Sequence, residues 1–384
     1  MRVPMLDLKP QLDQLGPELK EAVGEVIDST VYILGPQVQR FEEEIAEYLG
    51  VKHAIGVSSG TDALLVSLMA LNVGPGDLVL TTTYSFFATA GAITRLNATP
   101  VLLDIDPDTY NICPEAIVHW FESNPSLGRN VKAIIPVHLY GQCADLDAIL
   151  EVAKRHGVAV VEDAAQAIGA GYPAASGLRK AGSFGLMGCF SFFPSKNLGA
   201  LGDGGLVVTS DDGLAETLLK LRNHGARPKY YHGLVGGNFR LDPIQAVALR
   251  VKLRYLEQWH QRRRKVAEYY DARLTDLPIK RPVLAYDRNC HIYNQYVVAV
   301  PERRDELALF LAEAGISTAI YYPVPFHRQE CFKDLALDPN DFPHSEYASR
   351  HTIAIPIYPE LTPDMQDYVI EKMRQFYSSE VERG

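Results

Sequence analysis

Cysteine is scarce in this chain. Its 384 residues include five, Cys113, Cys143, Cys189, Cys290 and Cys331, an odd and scattered set without a Cys-x-x-Cys pair. Such spacing suggests neither a disulfide framework nor a zinc site. No apolar run approaches the length of a membrane span and the first residues lack an apolar leader core, so a soluble, cytoplasmic protein with no membrane partner is expected. Positive charge is short as well. A net charge of −10 disfavours nucleic acid and anionic lipid as partners. The sole basic cluster, Arg262-Arg263-Arg264-Lys265, falls in a helical pattern and reads as a solvated face. There is no H-E-x-x-H, no Walker lysine loop and no histidine pairing at metal-ligand spacing, so no metal is expected. Gly169-Ala170-Gly171-Tyr172-Pro173-Ala174 matches a dinucleotide fingerprint in letters only, because Pro173 stands where the helix should begin.

What is present is alternation. Short apolar runs at 54–57, 77–82, 100–105, 132–137 and 158–162 are separated by helical patterns, the mark of a mainly parallel sheet covered on both faces. The fold class expected is α/β, a large domain over residues 1–250 followed by a smaller α+β domain over 251–384 that includes a long linking helix at 242–274. Residues 1–16 read as irregular, because Pro4, Pro10 and Pro17 interrupt any long helix. In the second unit, strands are expected at 295–300, 316–320 and 352–357.

The run Phe190-Ser191-Phe192-Phe193-Pro194-Ser195-Lys196 ends a short apolar strand on proline and places a lysine two residues beyond it. A lysine screened from water there has its charged form disfavoured, and a neutral amine attacks carbonyls. Three further strand ends carry chemistry. Ser59-Gly60-Thr61-Asp62 opens a helix with capping-box-like spacing and suits an anion. Asp163, just past a strand, suits a protonated ring nitrogen, with Ala165 small enough to admit a flat ring. Tyr84-Ser85-Phe86 offers a stacking aromatic. Taken singly, each has a plain structural reading as cap, turn or core residue. Together they ask for a cofactor with a phosphate, a basic ring nitrogen and an aldehyde, and pyridoxal phosphate has all three.

Along nearly its whole length the chain resembles the DegT/DnrJ/EryC1/StrS family of sugar aminotransferases. The carrying stretches include Tyr-Ile-Leu-Gly-Pro at 32–36, Ser-Gly-Thr-Asp-Ala-Leu at 59–64 and Glu-Asp-Ala-Ala-Gln-Ala at 162–167. Ser-Phe-Phe-Pro-Ser-Lys-Asn-Leu-Gly at 191–199, Gly-Asn-Phe-Arg-Leu at 237–241 and Tyr-Tyr-Pro-Val-Pro-Phe-His at 321–327 continue the series. The resemblance implies a fold-type I pyridoxal-phosphate enzyme, a homodimer with active sites shared between subunits. By matching position it implies Lys196 as the Schiff-base lysine, Asp163 as partner of the pyridine nitrogen, Gln166 near the ring's 3-hydroxyl and Phe86 stacked on the ring. Gly60, Thr61 and Ser191 match phosphate ligands, and Asn238 a phosphate contact from the neighbouring subunit. Tyr32, Tyr322 and His327 fall where sugar or amino-donor contacts occur. The implied reaction moves an amino group from L-glutamate to a keto group of a nucleotide-linked sugar. Glutamine at 166 leans toward amination at the sugar's C3; amination at C4, a cyclitol acceptor and a non-catalytic regulator that keeps the fold remain alternatives.

Overall fold

The computed structural model describes residues 1–381. Two helices, α1 (Lys9–Ser29) and α2 (Pro36–Leu49), precede the alternating region. There β1 (His53–Val57), α3 (Gly60–Ala70), β2 (Leu78–Thr82), α4 (Ala88–Arg95), β3 (Thr99–Leu103), α5 (Pro114–Ser123), β4 (Val131–Ile135), α6 (Leu146–His156) and β5 (Ala159–Asp163) follow one another. A hairpin of β6 (Gly171–Ala174) and β7 (Gly177–Lys180) leads to β8 (Met187–Ser191), β9 (Gly205–Thr209), α7 (Asp212–Leu221), α8 (Pro243–Leu253) and α9 (Leu256–Arg273). The remainder is β10 (Tyr296–Ala299), α10 (Arg304–Glu313), α11 (Pro343–His351), β11 (Thr352–Ile355) and α12 (Pro363–Val381).

Seven strands form one sheet in the order β1-β9-β8-β5-β4-β2-β3. The β2–β3, β2–β4, β4–β5 and β5–β8 pairings are parallel, and β9 runs antiparallel to both β1 and β8. Strand alternation divides the side chains between two faces. Ile55, Val79, Ile135, Val161, Cys189 and Val207 meet α3, α4 and α7 on one side. On the other, Ala54, Phe190, Leu206 and Val208 meet α2 and α8, while Leu80, Ile134 and Val160 meet α5 and α6. A separate core gathers β10, β11, α10 and α12 around Tyr270, Tyr296, Ile353 and Met373. Val3 also lies in this second core, bonded to Gly315 and Ser317 by backbone hydrogen bonds of 2.9 Å each.

Several local expectations need correction. Residues 9–16 are helical: Pro10 sits in the first turn of α1, where a missing N–H costs nothing, and Pro17 is carried inside the helix. The stretch 242–274 is two helices, parted where the Tyr255 N–H turns back to Lys252 in a tight i→i−3 bond. Residues 316–320 form no strand; they make two isolated bridges, Ile316 to Val3 and Ala319 to Ala354 of β11. Among the described residues no helix is long and apolar enough to cross a membrane.

Adjacent residues at the end of β5 face opposite ways. Asp163 points to the cavity described below; Glu162 is fully buried on the other side. The Glu162 carboxylate accepts from His138 Nε2 (2.8 Å) and from the backbone N–H groups of Gly182, Phe184 and Gly185 at 2.7, 2.7 and 2.6 Å. Burial alone would raise its pKa, but these donors hold it below the ordinary value. Glu162→Gln turns an amide donor toward groups that themselves donate, and should cost about 3 kcal/mol in urea unfolding at neutral pH. Because the folded carboxyl is the stronger acid, its contribution is complete above the unfolded pKa of 4.5 and fades as pH falls through the lower folded value. The wild-type minus Glu162→Gln difference should therefore shrink on acidification.

Candidate active site

The carboxyl ends of β1, β2, β5 and β8 surround a cavity of about 440 Å³, where open parallel sheets bind ligands. A second cleft of about 500 Å³ lies among α1, α2 and α8, but its Arg250 is spent on a bidentate pair with Glu44.

One end of the cavity is built for an anion. Ser59 caps α3 by accepting from the Asp62 N–H (3.0 Å), and Ser58 donates to the Asp62 carboxylate (2.6 Å). Asp62 thus answers Ser58, not the cap residue's own N–H as in a reciprocal capping box. The helix start aims the first-turn N–H groups of Gly60 and Thr61 outward. Gly205 pairs with Val57 on one side and Ser191 on the other. A Cβ on Gly205 would fall 2.2 Å from the Ser59 carbonyl, so glycine lets the β1–α3 turn fold across β9. A Cβ on Gly60 would in turn meet Ser191 Cβ at 2.6 Å. The cradle of Gly60, Thr61 and Ser191 is therefore lined by backbone and hydroxyl.

The deepest charge is Asp163. Its carboxylate accepts from Thr89 Oγ1 (2.8 Å) and from the Ala165 N–H (3.2 Å). Burial raises its pKa, while the Thr89 hydroxyl, the Ala165 amide and the Lys196 charge pull the other way. Lys196 is half-buried in the same cavity. Burial lowers its pKa to about 8, against the opposing pull of Asp163. Its backbone is pinned by Lys196 N–H to the Phe193 carbonyl (2.8 Å), and the next side chain, Asn197, reaches the Ile292 carbonyl (3.1 Å).

Gln166 has its amide orientation set by its partners. Oε1 accepts from the Tyr140 N–H (2.8 Å) and Nε2 donates to the Tyr322 hydroxyl (2.6 Å). Phe86, 62% exposed, lines the cavity and is available for stacking, and it lies just before α4, in the turn and not in the helix. Tyr84, the other aromatic of that turn, is wholly buried and bonds Thr352 (3.0 Å).

Three of the expected residues lie elsewhere. Tyr32 is exposed on the turn before α2 and donates to the Ile27 carbonyl. Asn238 is exposed, bridged to Asn223, and absent from the lining of its own chain's cavity. His327 stands behind the wall: its side chain is fully buried, with Nδ1 on Thr83 Oγ1 and Nε2 on Glu346, so neither ring nitrogen is free for a sugar.

The profile of the DegT/DnrJ/EryC1/StrS aminotransferase family matches residues 13–374. The chain belongs to this family. It is similar to a protein named a pleiotropic regulatory protein from Geobacillus stearothermophilus, with 46% identity covering 98% of this chain and 99% of the other. It is 41% identical to the UDP-N-acetyl-3-dehydro-alpha-D-glucosamine 3-aminotransferase of Acidithiobacillus ferrooxidans, covering 94% of each. Among solved structures, S. venezuelae DesV in complex with a ketimine intermediate superposes with a TM-score of 0.91 at 40% identity, covering 98% of both chains.

As a member of the DegT/DnrJ/EryC1/StrS family the protein is an aminotransferase dependent on pyridoxal phosphate. The cavity suits that cofactor. The cradle at Gly60 has room that a single Cβ would fill, and its donors match a phosphate. Asp163 presents a buried carboxylate at a distance from the cradle set by the sheet, and Lys196 an amine depressed toward neutrality. Thr89, which orients Asp163, and Gln295, which enters the lining from the second unit, were given no role by the sequence. Nothing in their neighbours marks them, because each reaches the cavity through a contact distant along the chain.

Capture of an aldehyde needs neutral Lys196, so the rate at which the cofactor-free protein takes up pyridoxal phosphate should climb with pH and level off above about 8. Asp163→Asn removes the anion that holds the proton on Lys196 and should move this midpoint to lower pH. Stopped-flow absorbance would follow both.

Proposed function

We propose that this protein transfers an amino group from L-glutamate to the C3 keto group of a nucleotide-linked sugar, releasing 2-oxoglutarate and a 3-amino sugar nucleotide. The observation that carries the reading is the likeness over 94% of each chain to an enzyme named for 3-amination of a UDP-linked keto sugar, with Gln166 facing the cavity beside Lys196 and Asp163.

When bound, pyridoxal phosphate supplies the electron sink that lets the amino-bearing carbon lose a proton. The chain does the rest. Gly60 and Thr61, by donors at the α3 start, and Ser191, by its hydroxyl at the end of β8, would hold the phosphate. The Asp163 carboxylate, oriented by Thr89 and Ala165, would keep a positive charge on the ring nitrogen. Phe86 would offer its exposed ring for stacking, and Gln166, its amide fixed by Tyr140 and Tyr322, would offer a polar contact to the cofactor. Lys196 Nζ would take a proton from the donor carbon and hold it for return, a role suited to an amine with pKa about 8. Reversal with the keto sugar delivers the amine.

Two chains share the sites in this proposal. Asn238 is exposed and outside its own cavity, and Phe193, Leu201, Tyr230, Tyr231 and Val235 leave large apolar surface open around it and around the Lys196 loop. The regulatory name of the Geobacillus relative favours a second reading, a cofactor-retaining regulator.

The purified protein should be yellow, and L-glutamate should bleach that band; addition of a 3-keto nucleotide sugar should restore it, while a 4-keto sugar should not. A protein that bleaches but recovers with neither sugar would be an aminotransferase for another acceptor, such as a cyclitol; one that L-glutamate does not bleach would favour the regulatory reading. Lys196→Ala should lower turnover about a thousandfold or more with the circular dichroism unchanged. Mixing inactive Lys196→Ala with Asn238→Ala subunits should regain activity beyond either parent, because one hybrid site is then intact; no gain would place Asn238 in its own chain's site.

A further inference from the structure

His327 sits between the two walls of the cavity without touching it. Tyr321 and Tyr322 form one wall, a few residues before it in the chain; Ser85 and Phe86 form the other, two and three residues after Thr83. Thr83 is fully buried at the end of β2. Its carbonyl accepts from the Phe326 N–H (2.8 Å), its hydroxyl oxygen accepts from the His327 N–H (3.3 Å), and the same oxygen lies 2.8 Å from His327 Nδ1. On the far side His327 Nε2 lies 2.8 Å from Glu346 on α11, and the ring stacks on Phe342 at 4.4 Å.

The directions of these bonds are settled by chemistry. Glu346 is gripped by Arg328 and Arg350 as well as His327, and although burial pushes its pKa up, these partners hold it at about 2. An ionised carboxylate only accepts, so Nε2 carries the hydrogen. The charged groups facing the ring are Glu346 and Asp104, which favour its protonation, and Arg328, which opposes it; burial is the largest influence and keeps His327 below its ordinary pKa, neutral at pH 7. Nδ1 is then a bare acceptor, and Thr83 donates its hydroxyl proton to it while receiving the His327 N–H. The chain Thr83–His327–Glu346 is fully satisfied and has one sense only.

We infer that Thr83, His327 and Glu346 form a strap that fixes the Tyr321–Tyr322 wall against the Ser85–Phe86 wall, making His327 a positioning residue for the sugar acceptor. The strap ties β2 of the large sheet to α11 and the segment after Tyr322, at the side of the cavity away from the phosphate cradle. Loss of it frees the gap where a sugar is held and leaves Lys196, in the loop after β8, and Asp163, at the end of β5, where they are. The acceptor arm of this inference rests on the proposed amination of a keto sugar; the spacing of the walls does not.

Two measurements test it. The first needs no substrate: hydrogen exchange of the holoenzyme should quicken in both segments 83–87 and 321–328 in His327→Gln and in Thr83→Val, with α3 unchanged. Acceleration confined to 321–328 would overturn the strap. The second is steady-state kinetics with the keto sugar. His327→Gln keeps an amide at the Nε2 position but loses Thr83, and Thr83→Val loses the same bond with little change of shape. Each should raise the acceptor KM about tenfold, with kcat within about twofold. The double variant should be no worse than either single one, and His327→Asn, whose carbonyl can replace Nδ1 but which gives up Glu346, should not recover the wild-type KM, because the strap needs both ends. Unchanged KM, additive effects, or a fall in kcat alone would each overturn it. Quickened exchange in both segments with no turnover of any keto sugar by the wild type would sink the amination reading and leave the strap standing.

Discussion

One buried carboxylate, Glu162, holds the two strands from which the site is hung. It cannot be left uncompensated in the interior, so its oxygens must find donors, and they find them in His138 and in three backbone amides of the turn before β8. That turn sets where β8 begins, and β8 delivers Ser191 and then Lys196. The same strand position sets Asp163, which alternation must turn to the opposite side. A group with no part in the chemistry thus holds the anionic partner and the amine in register with one another.

The electrostatics of the cavity follow from that arrangement. Lys196 and Asp163 are each pushed by burial toward the uncharged form and each pulled back by the other. They form no direct ion pair, the nearest partners of Asp163 being Thr89 and Ala165. Lys196 keeps a pKa of about 8, where an amine can both give and take a proton near neutrality. The phosphate cradle lies apart from this pair because β9, antiparallel between β1 and β8, separates the α3 start from β5, while glycine at 205 lets the cradle close over it.

The α/β layout was legible because parallel strands buried on both faces read as apolar runs, as at 132–137 and 158–162. Pro10 misled, since proline in a first turn looks in sequence like proline that forbids a helix. The break at Tyr255 was hidden because both α8 and α9 continue a helical pattern, with Leu249, Leu256 and Trp259 buried in one core. Lys196, Asp163, Phe86 and the Gly60–Thr61 turn were recognisable from residue type next to a strand end, Gln166 only through the family resemblance, and the fold brings all of them to one cavity.

His327 shows where that kind of reading stops. A histidine after Tyr-Tyr-Pro-Val-Pro-Phe is chemically able to meet a sugar, and nothing local says that Thr83 and Glu346 will claim both nitrogens. The sequence by itself determined the strand and helix alternation of the large sheet and the chemical identity of the groups at the strand ends, because those depend on residues close together in the chain. The tertiary structure alone decided which of those groups face the cavity, which are spent on one another and how far each pKa is moved. Burial and hydrogen-bond partners come from residues far apart along the chain, and they exist only once the sheet has closed.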